Sequence, residues 1–180
     1  MRKLVFLILA LAMAFSACTK DYINDEVNVT LKKSVVSKGV ERPMFVWFSA
    51  RPDMTLPPVI CMPSEYGAVL GGGCWISGHA THIGKVDEAN SHFTVSTCYF
   101  NQYGQLIELG GGTITGANGD AFYFTVDMLI NPADFTFTGT ITMDGGTGRF
   151  VNAYGTEIIA GGVDLSTGIV SWTGEGIIVY

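Results

Sequence analysis

The stretch FTFTGTITM, residues 135–143, alternates apolar with hydroxyl-bearing side chains at a period of two. Successive side chains of a β-strand point to opposite faces, so this alternation is typical of a strand with one dry and one wet face. From Arg42 onward the chain has no helix-period stretch of useful length. The predicted core-facing side chains are those of Phe135, Phe137, Ile141 and Met143, and the predicted water-facing ones are those of Thr136, Thr138, Thr140 and Thr142.

The same alternation recurs earlier in the chain. It places Phe122, Phe124, Val126 and Met128 on one face of a strand, and Phe93, Val95 and Tyr99 opposite Thr94, Ser96 and Cys98 on another. Turn signals separate the strands: Asn118-Gly119 is a two-residue hairpin signal, and residues 144–146 and 164–168 mark further reversals. The predicted strands are 43–49, 66–70, 74–85, 91–100, 105–117, 120–129, 135–143, 149–160 and 168–179.

This pattern predicts an all-β domain, an antiparallel meander of eight to nine strands. We expect the meander to close into a small barrel, because closure removes exposed sheet edges. With about eight strands, such an interior is either filled by side chains or just wide enough for one small ligand.

The first residues of the chain indicate export. Two basic residues precede twelve apolar ones, Leu4 to Phe15, fewer than the ~20 that a membrane-spanning helix needs. Ser16-Ala17-Cys18 follows, and the whole resembles a bacterial lipoprotein signal, in which Cys18 is acylated and becomes the N-terminus. The alternative is an ordinary secretory signal with a chance cysteine.

This resemblance implies a division of the chain. Residues 1–17 are a signal peptide that is removed, 18–41 a lipidated tether, and 42–180 the barrel domain. The membrane is then a partner through the lipid on Cys18. Thr19-Lys20-Asp21 resembles the short tract that sends some lipoproteins to the cell surface, so we expect an outer-membrane lipoprotein that faces outward, or alternatively the periplasm.

Charge is uneven along the chain. After Arg51 only two basic residues remain, Lys85 and Arg149, against twelve acidic ones. Nucleic acid is therefore excluded as a partner of the domain, because phosphate binding needs clustered Lys and Arg. The basic residues from Lys20 to Arg51 are interpreted as part of a solvated tether, with anionic lipid or polysaccharide as the alternative contact.

Three cysteines remain beyond Cys18, in a compartment that permits disulfides. The Pro/Gly-rich segment between Cys61 and Cys74 can fold back on itself, so these two are the favoured pair. The alternatives are a Cys74–Cys98 pair across neighbouring strands, and three buried free thiols.

Several residues are candidates for chemistry. His79 and His82, with His92, suggest metal binding, but side chains three apart on a strand point to opposite faces, so no metal site and no cofactor are predicted. His82 is instead interpreted as a hydrogen-bonded histidine at the barrel rim or wall. The glycines of residues 145–148 indicate a turn rather than a phosphate loop, because neither a Lys-Ser/Thr pair nor a helix follows.

Arg149 is the one cation in the back half of the domain. Its predicted role is an ion pair with Asp144, Asp120 or Glu175, and the alternative is a contact with a ligand carboxylate in the barrel mouth. The candidate ligand-binding residues are Arg149, His82, Trp75 and Trp172. Aromatic side chains that line an open lumen would form a cup for an apolar molecule. The proline-rich loop of residues 50–63 is predicted to be a lid or a plug over one barrel end.

Four sequence elements resemble the motif series of secreted bacterial proteins with an allene oxide cyclase-like or dirigent-like β-barrel. This resemblance implies an eight-stranded barrel of calycin type with an apolar lumen over residues 43–180, and it carries no catalytic residue with it. The elements are SGHATHIG (residues 77–84), TITGANGD (113–120), GGTGRFVNAYG (145–155) and GEGII (174–178).

Two functions remain. The first is a surface-anchored binding or structural module for a small apolar ligand or a glycan. The second is an isomerase or cyclase working in a dry lumen, which needs a buried polar group with a shifted pKa. The sequence offers four acidic residues within or beside predicted strands for that role: Glu108, Asp127, Glu157 and Glu175. It does not predict the oligomeric state.

Overall fold

The computed structural model describes residues 39–180. It confirms the predicted all-β fold: eight strands form a closed antiparallel barrel, and a ninth is bonded outside it. The predicted signal peptide and nearly all of the predicted tether lie outside the described residues. The strands are β1 Glu41–Pro52, β2 Val59–Ile60, β3 Val69–Leu70, β4 Gly73–Ala80, β5 Gly84–Lys85, β6 His92–Phe100, β7 Leu106–Thr115, β8 Ala121–Ile130, β9 Thr136–Gly146, β10 Tyr154–Asp164 and β11 Ile169–Val179.

The barrel follows the meander from β6 to β11, and β1 closes it by pairing with both β11 and β4. Strand β5 pairs only with the end of β4 and stays outside. Strands β2 and β3 form a small separate ribbon. Within residues 39–180, no helix has the length and apolar character that a membrane span would require.

The parity predicted for residues 135–143 is confirmed in the strand. Phe137, Ile141 and Met143 are buried, and Thr138 on the same strand is exposed. Phe135 is half-buried in the turn just before β9. The alternating pattern therefore sets which side chains fill the barrel.

Three predicted strands differ from the structure: only Val69–Leu70 of 66–70 is a strand, 74–85 is divided by a turn into β4 and β5, and 149–160 begins too early. Residues 148–150 form a short 3-10 helix instead of a strand, and β10 runs from Tyr154 to Asp164. Gly148 has φ +56°, a left-handed conformation that turns the chain away from the sheet. The helix directs Phe150 into the barrel, where it is fully buried.

A β-bulge in β6 reverses the predicted parity of its second half. The register with β7 shifts between Val95 and Thr97, and one extra residue moves every later side chain to the other face. Cys98 is therefore buried and Tyr99 is exposed, where the simple alternation predicted the reverse.

The predicted Cys61–Cys74 disulfide is wrong, and so is the alternative Cys74–Cys98 pair. Cys61 is bonded to Cys98, with their Cα atoms 4.6 Å apart, and Cys74 is a free thiol. The segment of residues 53–72, called the strap below, places Cys61 beside β6 rather than beside Cys74 at the start of β4. The bulge then turns Cys98 toward it.

The strap completes a short seam of the barrel. Strands β4 and β6 pair only over residues 73–75 and 92–94. Beyond that point the backbone N–H of Phe100 donates to the Met62 carbonyl over 2.8 Å, and the N–H of Met62 donates to the Cys98 carbonyl over 3.0 Å. Hydrogen bonds and the disulfide thus hold the strap against the otherwise open edge of β6.

The two barrel ends differ. At one end the chain enters at β1 and leaves after β11, and the buried ring of Phe150 lies 5.0 Å from the ring of Tyr180 and 6.0 Å from that of Phe122. This is called the closed end. At the opposite end, where the strap and the turns of residues 101–105, 131–135 and 165–168 lie, the interior is open, and it is called the mouth.

Candidate functional site: the mouth cavity

The mouth leads into a cavity of about 290 Å³ inside the barrel. Inward-pointing side chains of the strands form its walls, and nearly all of them are apolar. A lumen of eight strands has room for one small ligand when side chains do not fill it, and here they leave part of it empty. Its wall includes Phe93, Val95, Phe124, Val126, Phe137 and Ile141.

Glu108 places a carboxyl group in this apolar wall. Its side chain lies on the inner face of β7, opposite Cys98 on β6 and Met128 on β8, and is 7% exposed. Burial raises the pKa of Glu108 to about 7, because an ionised carboxylate loses its hydration there. Among residues 39–180, no side chain or backbone group forms a hydrogen bond or an ion pair with this carboxyl group.

Trp172 and Cys74 also line the cavity. The indole Nε1 of Trp172 is itself buried, so it is not accessible from the cavity, and it has no hydrogen-bond partner among the described residues. Its ring packs edge-on against Phe48 at 5.5 Å. The Cys74 thiol is also in the wall, and burial, followed by the charges of Glu108 and Asp53, raises its pKa to about 12. Cys74 therefore stays protonated and is not a nucleophile.

The strap and a strained turn form part of the cavity rim. Val69, Leu70 and Gly71 of the strap line the cavity. Within the loop predicted to be a lid or plug, Met54 and Met62 point to solvent, with 89% and 57% exposure. Phe135 adopts φ +57°, uncommon for a bulky side chain. Its N–H donates to the Asn131 carbonyl over 2.9 Å. This turn therefore holds the Phe135 ring at the cavity.

Of the four candidate ligand-binding residues, only Trp172 lines the cavity. Trp75 lies between the inward-facing Cys74 and Ile76, so its side chain points outward, where it packs on His92 at 5.0 Å. His82 lies at the closed end, and its Nε2 is 2.8 Å from the Pro43 carbonyl oxygen. Trp75 and His82 therefore do not line the mouth cavity, and His82 has the hydrogen bond that was predicted for it at the barrel rim.

Arg149 also lies at the closed end, so its alternative role as a contact for a ligand in the mouth is wrong. Of the three predicted acidic partners it pairs with Asp120, with Nε and Oδ2 3.0 Å apart. The guanidinium also lies over the ring of Phe150, 5.3 Å from its centroid. The glycine-rich element around Arg149 thus shapes the closed end of the barrel.

The histidines do not converge. His79 packs on the outward-facing Trp47, and His92 lies 3.8 Å from a carboxylate oxygen of Asp53. In the part of the chain that the structure describes, no three metal-binding side chains are grouped around a common point.

The four candidate acidic residues separate into two inward and two outward ones. Asp127 and Glu175 are exposed, Glu108 lies in the cavity, and Glu157 is buried one inward position below the cavity-lining Ile159. Glu157 is 2% exposed, and its Oε1 has no hydrogen-bond partner among the described residues. Burial raises the pKa of Glu157 to about 8.

A glycine makes room for the Glu157 carboxyl group. It lies over Gly174 of β11, where a Cβ atom would collide with Oε1. Glu157 is therefore a second buried carboxyl group, and it does not line the cavity.

We expect Arg149→Ala to lower the free energy of unfolding by less than ~1 kcal/mol, because the Arg149 and Asp120 side chains are 42% and 25% exposed and solvent screens their attraction. Chemical denaturation of the variant and the wild type measures this difference. A loss of several kcal/mol would show that Arg149 has a larger structural role than this ion pair.

No family model matches this chain, and neither a curated protein nor a solved structure matches it. The geometry defines an apolar cavity with one carboxyl group that can accept or donate a hydrogen bond. Part of its wall was contained in the alternating pattern, which placed Phe124, Val126 and Phe137 on one face of their strands. The contribution of Val69 to Gly71 was missed, because nothing in these residues indicates which way the strap turns.

Proposed function

We propose that this chain is a cell-envelope lipoprotein whose barrel binds one small apolar molecule in the mouth cavity. The observation that carries the proposal is the cavity of about 290 Å³ with its apolar wall. Binding sites for small molecules are concave, mostly apolar and supplied with a few placed polar groups. Glu108 supplies such a group here.

Ligand binding would be driven by burial of apolar surface, worth about 25 cal/mol per Å². The volume is at the lower end of the usual range for ligand sites, so the proposed ligand is small. A glycan is less well supported as the occupant of this cavity, because its many hydroxyl groups would lose hydration against a wall that offers few partners.

A second candidate, an isomerase-type enzyme, is favoured by one observation. Glu108 lies in an apolar cavity, and burial raises the pKa of its carboxyl group to about 7, which suits proton transfer at neutral pH. No described residue holds its carboxyl group in a fixed orientation, however, and a catalytic base is normally oriented by a second group. Binding is therefore our first proposal.

A fluorescence titration with the neutral dye N-phenyl-1-naphthylamine tests binding. We expect one dye molecule to bind per barrel with increased emission. The variant Val126→Trp, which fills the cavity from its wall, should abolish this signal, and Thr125→Trp, one residue away on the exposed face, should preserve it. Equal binding by both variants would show that the dye binds elsewhere and would contradict the proposal.

The proposed lipid anchor on Cys18 makes a separate prediction. Cys18→Ser should move the protein from the membrane fraction to the soluble fraction, because stable anchoring requires more than one acyl chain and the lipoprotein pathway supplies them on this residue. Fractionation of cells that express each form measures the change. Retention of the variant in membranes would show that another part of the chain binds them.

The proposed family is that of the allene oxide cyclase-like or dirigent-like barrels. An eight-stranded closed barrel with an apolar lumen supports it. The proposed location is the outer membrane, facing outward, and protease treatment of intact cells tests that orientation. If the protease spares the protein while it digests a known surface protein, the periplasmic face is the correct one.

A further inference from the structure

The cavity wall contains no positively charged side chain. Glu108 is its only ionisable group besides the protonated Cys74 thiol, and no Lys, Arg or His is among the described residues that line it. A ligand with an anionic head group would therefore give up its hydration without gaining an oppositely charged partner. Desolvating an unpaired carboxylate is among the most costly events in a protein interior.

The carboxyl group of Glu108, in contrast, is available to a ligand. It lines the cavity, its side chain is 7% exposed, and no described residue donates a hydrogen bond to it. Its carboxyl oxygens, unlike Oε1 of Glu157 and Nε1 of Trp172, are accessible from the cavity. A bound molecule can therefore supply the hydrogen-bond partner that the described residues do not.

The chemistry of a carboxyl group defines that partner. An ionised carboxylate only accepts hydrogen bonds, and a protonated one still accepts through its carbonyl oxygen. A hydroxyl or amino group can therefore donate to Glu108 in either state, and a protonated amine adds a charge-assisted bond to the ionised form. A carboxylate cannot donate. It would face a like charge when Glu108 is ionised, and when Glu108 is protonated its single O–H group would not replace the hydration that the carboxylate loses.

We infer that the cavity takes an apolar molecule with one hydrogen-bond-donating head group, an alcohol or an amine that contacts Glu108, and that it rejects the corresponding carboxylate. This inference depends on the proposed binding function. It adds the class of ligand and names the residue that selects it.

Competition between matched chains tests the inference. Decan-1-ol, decylamine and decanoate share one alkyl chain and differ in the head group, and each is added at neutral pH to the complex with N-phenyl-1-naphthylamine, below the concentration at which it forms micelles. We expect the alcohol and the amine to displace the dye at concentrations at least about tenfold lower than decanoate, as expected for one hydrogen bond to a buried polar group.

Three variants assign the preference to Glu108. Glu108→Leu should lower the ratio of alcohol to decanoate affinity by about tenfold, and Glu108→Gln, which has the same shape and keeps an acceptor oxygen, should retain alcohol binding while losing the preference for the amine. Glu175→Leu removes an exposed carboxylate and should change nothing. Melting curves verify that each variant is folded.

The outcomes are distinguishable. If the dye does not bind to the wild type, the proposed function fails and the inference with it. If the dye binds and decanoate displaces it as well as decan-1-ol does, the ligand class is wrong while the binding function stands. If Glu108→Leu or Glu108→Gln has the wild-type head-group preference, Glu108 is not the selecting residue.

Discussion

Glu157→Gln should raise the free energy of unfolding by roughly 3 kcal/mol at pH 7. Burial raises the pKa of the carboxyl group from its ordinary value to about 8. Between these two pKa values the unfolded chain has lost the proton and the folded chain retains it. The free energy of unfolding of the wild type therefore falls as the pH rises between these two values. Glutamine does not ionise, so the variant does not show this fall.

Denaturation of both proteins between pH 5 and pH 8 measures the effect. The difference should be small at pH 5 and should grow toward pH 8. Glu108 has a raised pKa as well, and it is present in both proteins, so the difference isolates Glu157. Glu175→Gln, at an exposed position, is the control and should show no such growth. A difference that is independent of pH would show that Glu157 is ionised in the folded protein and has a partner there.

Phe137→Ala should lower the free energy of unfolding by ~3–5 kcal/mol, because it removes a buried ring and enlarges the space beside it. The ring of Phe137 is 6% exposed and lines the cavity. Thr138→Ala, on the same strand with its side chain in solvent, should cost far less. Chemical denaturation of the two variants compares these costs. Equal midpoints would contradict the assignment of Phe137 to the inner face and Thr138 to the outer face.

The two-residue period predicted the strands of the barrel because alternating burial along a strand is visible in the local sequence. Residues 135–143 and 122–128 each show which side chains avoid water, and the turn signals between the strands limit them to an antiparallel order. Closure followed from the cost of exposed edges rather than from any one residue. This is why the fold class was predictable without the long-range pairing of β1 with β4.

The errors arose where backbone geometry departs from that period. The bulge between Val95 and Thr97 carries no residue type that announces it, yet it reverses the face of Cys98 and with it the disulfide partner. Gly148, with a left-handed φ, converts a predicted strand into the short helix that buries Phe150. Local composition cannot specify these long-range consequences.

The candidate site was predictable only in part. Glu108 was one of four acidic residues whose side-chain direction the sequence did not determine. The absence of a cation beside it depends on how the strands pack in the barrel. Arg149 attracted attention because arginine is rare in this domain, but its position after β9 places it at the closed end. The rarity of arginine therefore pointed to a residue with a structural contact and not to the cavity.

The proposed function requires an accessible apolar cavity at the mouth of the barrel. Diffraction from crystals of the protein pressurised with xenon tests it most directly, because xenon enters apolar cavities of this size. We predict xenon density between Val126, Phe137 and Ile141, above the buried Glu157, and its loss in crystals of Val126→Trp. Side chains that fill this space in the crystal, with no xenon bound among them, would contradict the account.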